Sequence, residues 1–401
     1  MNNGDVGLKS FVDVVIVGAG PYGTSLALNL KAAGVSFKIF GKPMETWREH
    51  MPIGMELKSE GNASNMSDPH GYSLERYCRD RHIPYEHVGH AVQLSTFCEY
   101  GLTCYDRIGD AADPRNVVSM SVEPGGYRLV LSDGSEVRAH KVIVAVGIAH
   151  FAHLPEPFSA LPRELVSHGS QNRDLSAYQG KELVVVGAGA SATDIATLAA
   201  EAGAKVTMVS RGSIKWTVQR VEPRPVLERL RYPDSCISPG LRSCLYERSP
   251  LGFRTLPPEA RYKFATTFAG PAGGWSMRDR FEKSVTSMSG TEVTSLKEQG
   301  GRLALQLTDE GGAVKKMVVD HLIAATGYKA NIAKIPFLSP DLQSKIASLR
   351  GAPVLSRYFE STLPSVYFVG NASAMTFGPL MRFVCGTPYT AQRLTRHLKA
   401  G

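Results

Sequence analysis

The chain is short of cysteine and tryptophan and has no long apolar runs. Its six cysteines, Cys78, Cys98, Cys104, Cys236, Cys244 and Cys385, form no C-x-x-C and no zinc spacing. That pattern excludes a disulfide framework and a metal site and fits the reduced thiols of a cytoplasmic protein. No apolar run reaches the roughly 18 residues a membrane span needs. The opening stretch, MNNGDVGLKS, is polar and runs straight into a strand pattern, so no membrane partner is expected. Blocks of like charge are also missing. The 45 Lys and Arg against 37 Asp and Glu leave a net +8 that is mostly dispersed, so no nucleic-acid partner is expected and phosphorylated cofactors account for the excess. The densest stretch is RGSIKWTVQRVEPRPVLERLR, residues 211–231, with six basic residues against Glu222 and Glu228.

At 401 residues the chain has room for two or three domains, each with its own core. Residues 11–17 form an apolar run broken only by Asp13, close to what a strand buried on both faces should show. A Gly-rich turn, a helix over 22–33 and a second strand over 36–40 follow, which makes a βαβ unit. The order recurs as a strand over 183–186, a helix over 190–202 and a strand over 205–209. A separation of 169 residues, from Gly18 to Gly187, is too wide for a solenoid and indicates two related nucleotide-binding units. Further apolar strands end in glycine at KVIVAVG (Gly147), HLIAATG (Gly327) and SVYFVGNAS (Gly370), and a last amphipathic helix falls within 380–397.

The predicted fold class is therefore α/β, with two Rossmann-like domains for FAD and NAD(P) and an inserted irregular subdomain. The first domain is discontinuous, built from residues 1–165 and 325–401. The second covers 166–324, and within it residues 212–280 form an insert or lid, rich in proline and carrying Trp216, Tyr232, Tyr246, Phe253 and Trp275. A structureless loop of that length is improbable in a compact domain.

In the first turn, GAGPYG, Gly18 permits the tight bend, Gly20 lets backbone approach a pyrophosphate, and Gly23 allows close packing of helix on strand. The helix N-terminus then faces the phosphates. A carboxylate for the adenosine ribose would fall near position 41, where the chain has Gly41. Either Lys42 or Glu45 takes over the adenosine contacts, or ribose recognition is weaker. In the second turn, GAGASA, the corresponding residues are Gly187, Gly189, Ser191 and Ala192. Its second strand ends in V-S-R, and Arg211 at that place accommodates the 2′-phosphate of NADPH, with Lys215 nearby. Two turns holding two dinucleotides bring a flavin and a nicotinamide together for hydride exchange.

At this point the chain resembles the two-dinucleotide flavoproteins, and among them the single-component FAD and NADPH monooxygenases: flavin-containing monooxygenases, Baeyer-Villiger enzymes and ornithine or lysine N-hydroxylases. The motifs that carry the likeness are VIVGAGPYG, VVVGAGASATD, AATGY ending at Tyr328, and Trp47-Arg48 after the second strand. The segment GMELKSEGNASNMSDPHGYSLERYC, residues 54–78, is similar to the stretch lining flavin and substrate in amine monooxygenases and N-hydroxylases. The resemblance covers most of the chain outside 212–280. It implies cofactor contacts from Trp47, Arg48, Tyr328, Gly370 and Asn371, and flavin-edge or substrate contacts from Lys58, Asn62 and Asn65. It further implies O2 as co-substrate, a peroxide formed on the flavin, and a small polar, nitrogen-containing substrate; some bacterial relatives of this layout are implied to oxidise urate or aspartate.

The family's aromatic-Gly-His fingerprint before the second turn is degenerate in SHGSQNRDLSAYQGK. Anchored on His168, it has Asn172 where an aromatic belongs; anchored on Tyr178, it has Asp174 where the His belongs. Disulfide reductases share both nucleotide folds but need two neighbouring cysteines to relay electrons. Cys98 and Cys104 are the nearest pair and fit no relay motif. Two alternatives stand beside the monooxygenase: a flavin-dependent NADPH oxidoreductase passing electrons to a quinone or protein, and a non-catalytic FAD-binding sensor.

Overall fold

The structure is a computed structural model that describes residues 11–221, 223–268 and 270–400; the opening MNNGDVGLKS and Glu222 of the basic stretch lie outside the described residues. The apolar run becomes the strand Val12–Val17, with Val14 to Val17 buried. It pairs in parallel with Phe37–Phe40 on one side and Glu136–Val144 on the other. The helix Pro21–Ala33 bridges the first two. Proline at its start lacks only an N–H that would have no helical partner, and Gly34, at φ +71°, closes its end in the left-handed conformation.

The long strand Glu136–Val144 has two neighbours on its far side. Its N-terminal half pairs with the antiparallel hairpin strand Gly126–Leu131, while Val142 to Val144 pair in parallel with Val366–Phe368 from the far end of the chain. The first sheet, seven strands in all, is thus completed by the C-terminal segment. The final helix, Thr387–Ala400, packs on Pro21–Ala33. It begins later than the sequence pattern indicates because residues 379–386 form two 3-10 turns behind Gly378.

The second sheet has five parallel strands in the order Thr286–Ser289, Lys205–Ser210, Glu182–Val186, His321–Ala324, Val166–His168. Its βαβ helix is Ala190–Glu201. An antiparallel meander, residues 291–319, leads into His321–Ala324.

The segment 212–280 carries the short helices Val226–Arg231, Leu241–Arg248 and Pro258–Thr267. Phe253 and Ala265 from it share a small core with Ala352 and Met375. The insert therefore leans on the C-terminal part of the first unit as well as on the second. Among the described residues, no helix is long and apolar enough to cross a membrane.

Candidate active site

At the first turn, Gly18 has φ +111°, and a Cβ there would fall 2.5 Å from the Ala145 carbonyl oxygen. Gly23 is tighter still, with a Cβ position 1.9 Å from the Gly18 oxygen. Gly20 differs, since a Cβ on it would meet nothing within 4 Å. The helix that starts at this point has no side-chain cap and no acidic residue in its first turn. Its free N–H groups and positive dipole end open onto that space, a cradle whose shape and charge suit a pyrophosphate.

The second turn repeats the pattern. Gly187, at φ +151°, approaches the Ala325 oxygen, with a Cβ position 2.7 Å away, and the Ala192 methyl, 3.0 Å away. Gly189 caps an equally uncapped helix. Ser191 is exposed and Ala192 buried. Pro271 of the insert lies against Gly189, 3.4 Å from a Cβ placed there, and Gly273 pairs with Trp216. The insert thus borders the second cradle. Arg211 and Lys215, just past the strand Lys205–Ser210, are both exposed.

Gly41 follows the second strand of the first unit at φ +125°. The two residues expected near the ribose partner each other: the Lys42 ammonium lies 3.3 Å from Glu45 and 3.6 Å from Glu49. Trp47 packs edge-on against Phe97, with ring centroids 4.8 Å apart, and Arg48 is exposed. Gly370, at φ +66°, approaches the Tyr22 ring, and the Tyr22 hydroxyl donates to the Phe383 carbonyl at 2.9 Å. This brings Gly370 and the half-buried Asn371 next to the first turn.

Both anchors of the degenerate fingerprint belong to one hydrogen-bond network. Tyr178 donates to Asn172 Oδ1 at 2.5 Å, and Asn172 Nδ2 donates to Ser167 Oγ and to the His168 carbonyl. His168 Nε2 lies 3.0 Å from the Gly327 carbonyl, and its ring meets Tyr328 edge-on. The network pins the strand Val166–His168 to the loop after His321–Ala324.

The three expected substrate contacts separate. Asn65 has structural partners: its amide donates to the Asn62 carbonyl at 3.1 Å, and its oxygen accepts from Leu74 N–H at 2.8 Å. The Asn62 side chain is exposed. Lys58, on the strand Glu56–Glu60, is half-buried and faces two groups that sequence reasoning passed over, Asp194 and Arg382. Burial and then the Arg382 charge hold Lys58 below its ordinary pKa, against the pull of Asp194. Arg382 is reached by solvent yet largely surrounded by protein, and burial lowers its pKa. It donates to the Ala265 and Phe268 carbonyls of the insert at 3.0 and 3.2 Å. Asp194 is buried on the helix Ala190–Glu201. Burial pushes its carboxyl up to about 8, the Glu56 carboxylate adds to the shift, and Arg280 and Lys58 oppose it. At neutral pH Asp194 is therefore mostly a neutral acid that holds a proton beside two cations. Asp194 stands in the quoted VVVGAGASATD motif; nothing in sequence spacing signals Arg382.

The insert cations Arg220 and Arg224 are paired. Arg220 lies 3.3 Å from Glu60 and 3.9 Å from Asp234, and Arg224 binds Asp234. Arg220 ties the insert to the strand Glu56–Glu60, while the Arg224–Asp234 pair lies within the insert.

Residues 12–224 match the family model described as pyridine nucleotide-disulphide oxidoreductase. An uncharacterized CzcO-like oxidoreductase of Geobacillus kaustophilus is 25% identical over 206 residues, 47% of this chain and 51% of that protein. The rice (Oryza sativa subsp. japonica) indole-3-pyruvate monooxygenase YUCCA1 is 26% identical over 208 residues, 50% of this chain and 48% of that protein. The chain thus spans about half the length of the curated relatives it matches. Among solved structures, the ornithine N-hydroxylase of Kutzneria sp. 744 superposes with a TM-score of 0.75 over 98% of this chain and 99% of its own, at 14% identity. That likeness is one of fold.

Proposed function

The chain belongs to the pyridine nucleotide-disulphide oxidoreductase family, and from that premise we propose that it is an FAD-dependent monooxygenase. It uses NADPH and O2 to oxygenate a small polar, nitrogen-containing substrate. One observation carries the reading: Lys58 from the first unit lies within electrostatic reach of Asp194 from the second and of Arg382 from the C-terminal segment, and Arg382 in turn binds two carbonyls of the insert. A reaction that needs two dinucleotides and a substrate at one place needs such a convergence. The solved Kutzneria enzyme, of the same fold, carries reduced FAD, NADP+ and L-ornithine.

In this reading residues 1–165 and 325–401 hold FAD, and residues 166–324 hold NADPH. When bound, FAD supplies two-electron redox chemistry and oxygen activation, and NADPH supplies the hydride. The chain's own part is to bind, orient and exclude water. Gly18 makes the bend, Gly20 leaves room for the FAD pyrophosphate at the helix N-terminus and Gly23 seats that helix on the strand, with Gly370 and Asn371 closing the same pocket. Lys42, Glu45, Trp47 and Arg48 flank its adenosine side. Gly187, Gly189, Ser191 and Ala192 do the same for NADPH, Arg211 and Lys215 take its 2′-phosphate, and Tyr328 lies at the crossing between the units. Lys58, from its strand, and Asn62 donate hydrogen bonds to the flavin edge or substrate, and Asn65 holds the loop that presents Asn62. The Asp194 carboxyl keeps its proton at neutral pH, so the cleft retains the positive charge of Lys58 and Arg382 and favours a substrate with an anionic group. The insert covers the cleft and keeps water out.

The test is turnover of the flavin-loaded protein with NADPH under 18O2, screened against amines, amino acids and purines. The reading requires a product that has gained one labelled oxygen atom for each NADPH oxidised. NADPH oxidation that yields only peroxide with every substrate, or that is coupled to a quinone without label, would replace it with the electron-transfer reading.

A further inference from the structure

The final helix, Thr387–Ala400, has two working faces. Ala391, Leu394 and Leu398 are buried in the first unit's core. Tyr389, Gln392, Arg393, Arg396, His397 and Ala400 recur at helical spacing on another face and, with Tyr358, line a cavity of about 420 Å³. The Tyr358 ring organises this cavity. The His397 imidazole stacks on it, with centroids 4.2 Å apart and planes 4° apart, and the Arg357 and Arg393 guanidiniums lie 4.8 and 5.1 Å from its centre. Arg393 Nε also donates to the Arg357 carbonyl at 2.7 Å, which ties the helix to the turn that carries Tyr358. Among the described residues, Arg357, Arg393 and Arg396 enter no ion pair. Glu360, the acid that acts on His397, accepts the Ser365 N–H at 2.8 Å. The Tyr389 hydroxyl is buried without a hydrogen-bond partner.

We propose that this cavity binds a small organic phosphate, held by Arg357, Arg393 and Arg396 around the Tyr358 ring. The inference rests on the cavity and its arginines and not on the monooxygenase reading. Cations in the last turn of a helix complement its dipole, which accounts for His397 and Lys399. Arg393 and Arg396 come earlier, and Arg357 belongs to another segment, so the dipole does not explain why the three are gathered at one hollow. Like charges held together repel one another, and stacking on Tyr358 keeps two of the forks from swinging apart; a bound anion relieves that repulsion. Guanidinium forks match phosphate oxygens two at a time, and a phosphate monoester brings about −1.5 to −2 charges and three strong acceptors. The volume falls within the range of small-ligand sites, about 300 to 1,000 Å³, and leaves room for more than the phosphate group itself. His397 reports on the same place. Burial and the cations Lys141, Arg393 and Arg357 hold it below its ordinary pKa, against the pull of Glu360, so an anion bound here raises that pKa.

The experiment titrates glycerol phosphate into the full-length, flavin-loaded protein by calorimetry at about 0.15 M salt, where loose surface attraction is screened, with inorganic phosphate and citrate as comparators. Glycerol phosphate should bind more tightly than either. The double variant Arg393→Gln/Arg396→Gln should weaken it by roughly one to two decades, the equivalent of a lost charge-assisted contact, which separates this cavity from the two nucleotide turns. Arg396→Gln alone, at an exposed side chain, should melt with the wild type and still weaken binding about tenfold, so a misfolded double variant does not decide the matter. In a proton NMR titration, with the His397 signal assigned by its loss in His397→Gln, glycerol phosphate should raise the His397 pKa in the wild type and leave it unmoved in the double variant. Equal binding by the wild type and Arg396→Gln overturns the proposal, as does a His397 pKa that glycerol phosphate leaves unchanged. Inorganic phosphate or citrate binding as tightly as glycerol phosphate overturns the assignment to an organic phosphate.

Discussion

Gly23 lies so close beneath Gly18 that a Cβ on it would fall 1.9 Å from the Gly18 carbonyl oxygen, while the same addition at Gly20 would enter open space. The two glycines of one motif therefore fail differently. Gly23→Ala should cost about 3 kcal/mol of folding stability or more, because the clash is with backbone that cannot move aside. Gly20→Val should fold normally, by circular dichroism and thermal unfolding of the flavin-free protein, yet purify without bound flavin. Full flavin content in Gly20→Val would remove the FAD assignment from this turn.

Arg211 stands exposed past the end of the strand Lys205–Ser210. Arg211→Ala should raise KM for NADPH by roughly one to two decades, the equivalent of a charge-assisted contact worth about 1.5 to 3 kcal/mol. KM for NADH, which has no 2′-phosphate, should change little. An equal rise for both coenzymes would mark the arginine as a structural residue.

Asp194 gives stability a particular pH dependence. Its folded value of about 8 lies above the unfolded carboxylate value of about 3.9, so between those limits the folded protein binds more protons than the unfolded chain and stability falls as pH rises. Above the folded value the loss is complete. Asp194→Asn removes this contribution, so the variant should gain on the wild type from pH 5 to pH 9 by an amount on the order of 4 kcal/mol. Urea unfolding midpoints of both proteins across that range measure it. A difference independent of pH would mean that Asp194 is ionised in the folded protein.

Lys58 and Arg382 feel each other's charge but differ in what each supports. Lys58→Met removes a cation held below its ordinary pKa by burial and by Arg382, so it should leave folding stability unchanged or raised while lowering turnover. Arg382→Met leaves the Ala265 and Phe268 carbonyls without their donor, at a cost of about 2 kcal/mol. It should therefore also speed proteolysis of the insert. Paired thermal-unfolding and turnover measurements separate the two, and a destabilised Lys58→Met would contradict a charge that burial and Arg382 disfavour.

The two nucleotide units were legible because their signals are local. A strand run of 11–17 became Val12–Val17, and a helix read over 190–202 became Ala190–Glu201, each fixed by an apolar run, a glycine turn and a helix start within a few residues. The insert was less legible. In its short helices Val226, Leu227, Leu230, Leu241 and Leu245 remain exposed, so the apolar spacing that marks a buried helix face was absent. Contacts between distant segments left no trace in spacing. Asp194 and Arg382 act on Lys58 only because three separate parts of the chain close on one another. The pairing of Arg220 and Arg224 was equally hidden, since their partners Glu60 and Asp234 lie outside the basic stretch.

The strand Glu136–Val144, half paired with its own hairpin and half with Val366–Phe368, sets an order of assembly on the ribosome. All five strands of the second sheet lie between Val166 and Ala324, so the part of the protein begun later can be finished first. Until residues 366–368 emerge, Val142 to Val144 present a bare apolar edge to the cell, open to pairing with a neighbouring nascent chain. Slow translation or premature termination between residues 324 and 366 would thus release a product with one finished sheet and one unprotected edge, the form of this protein most exposed to aggregation.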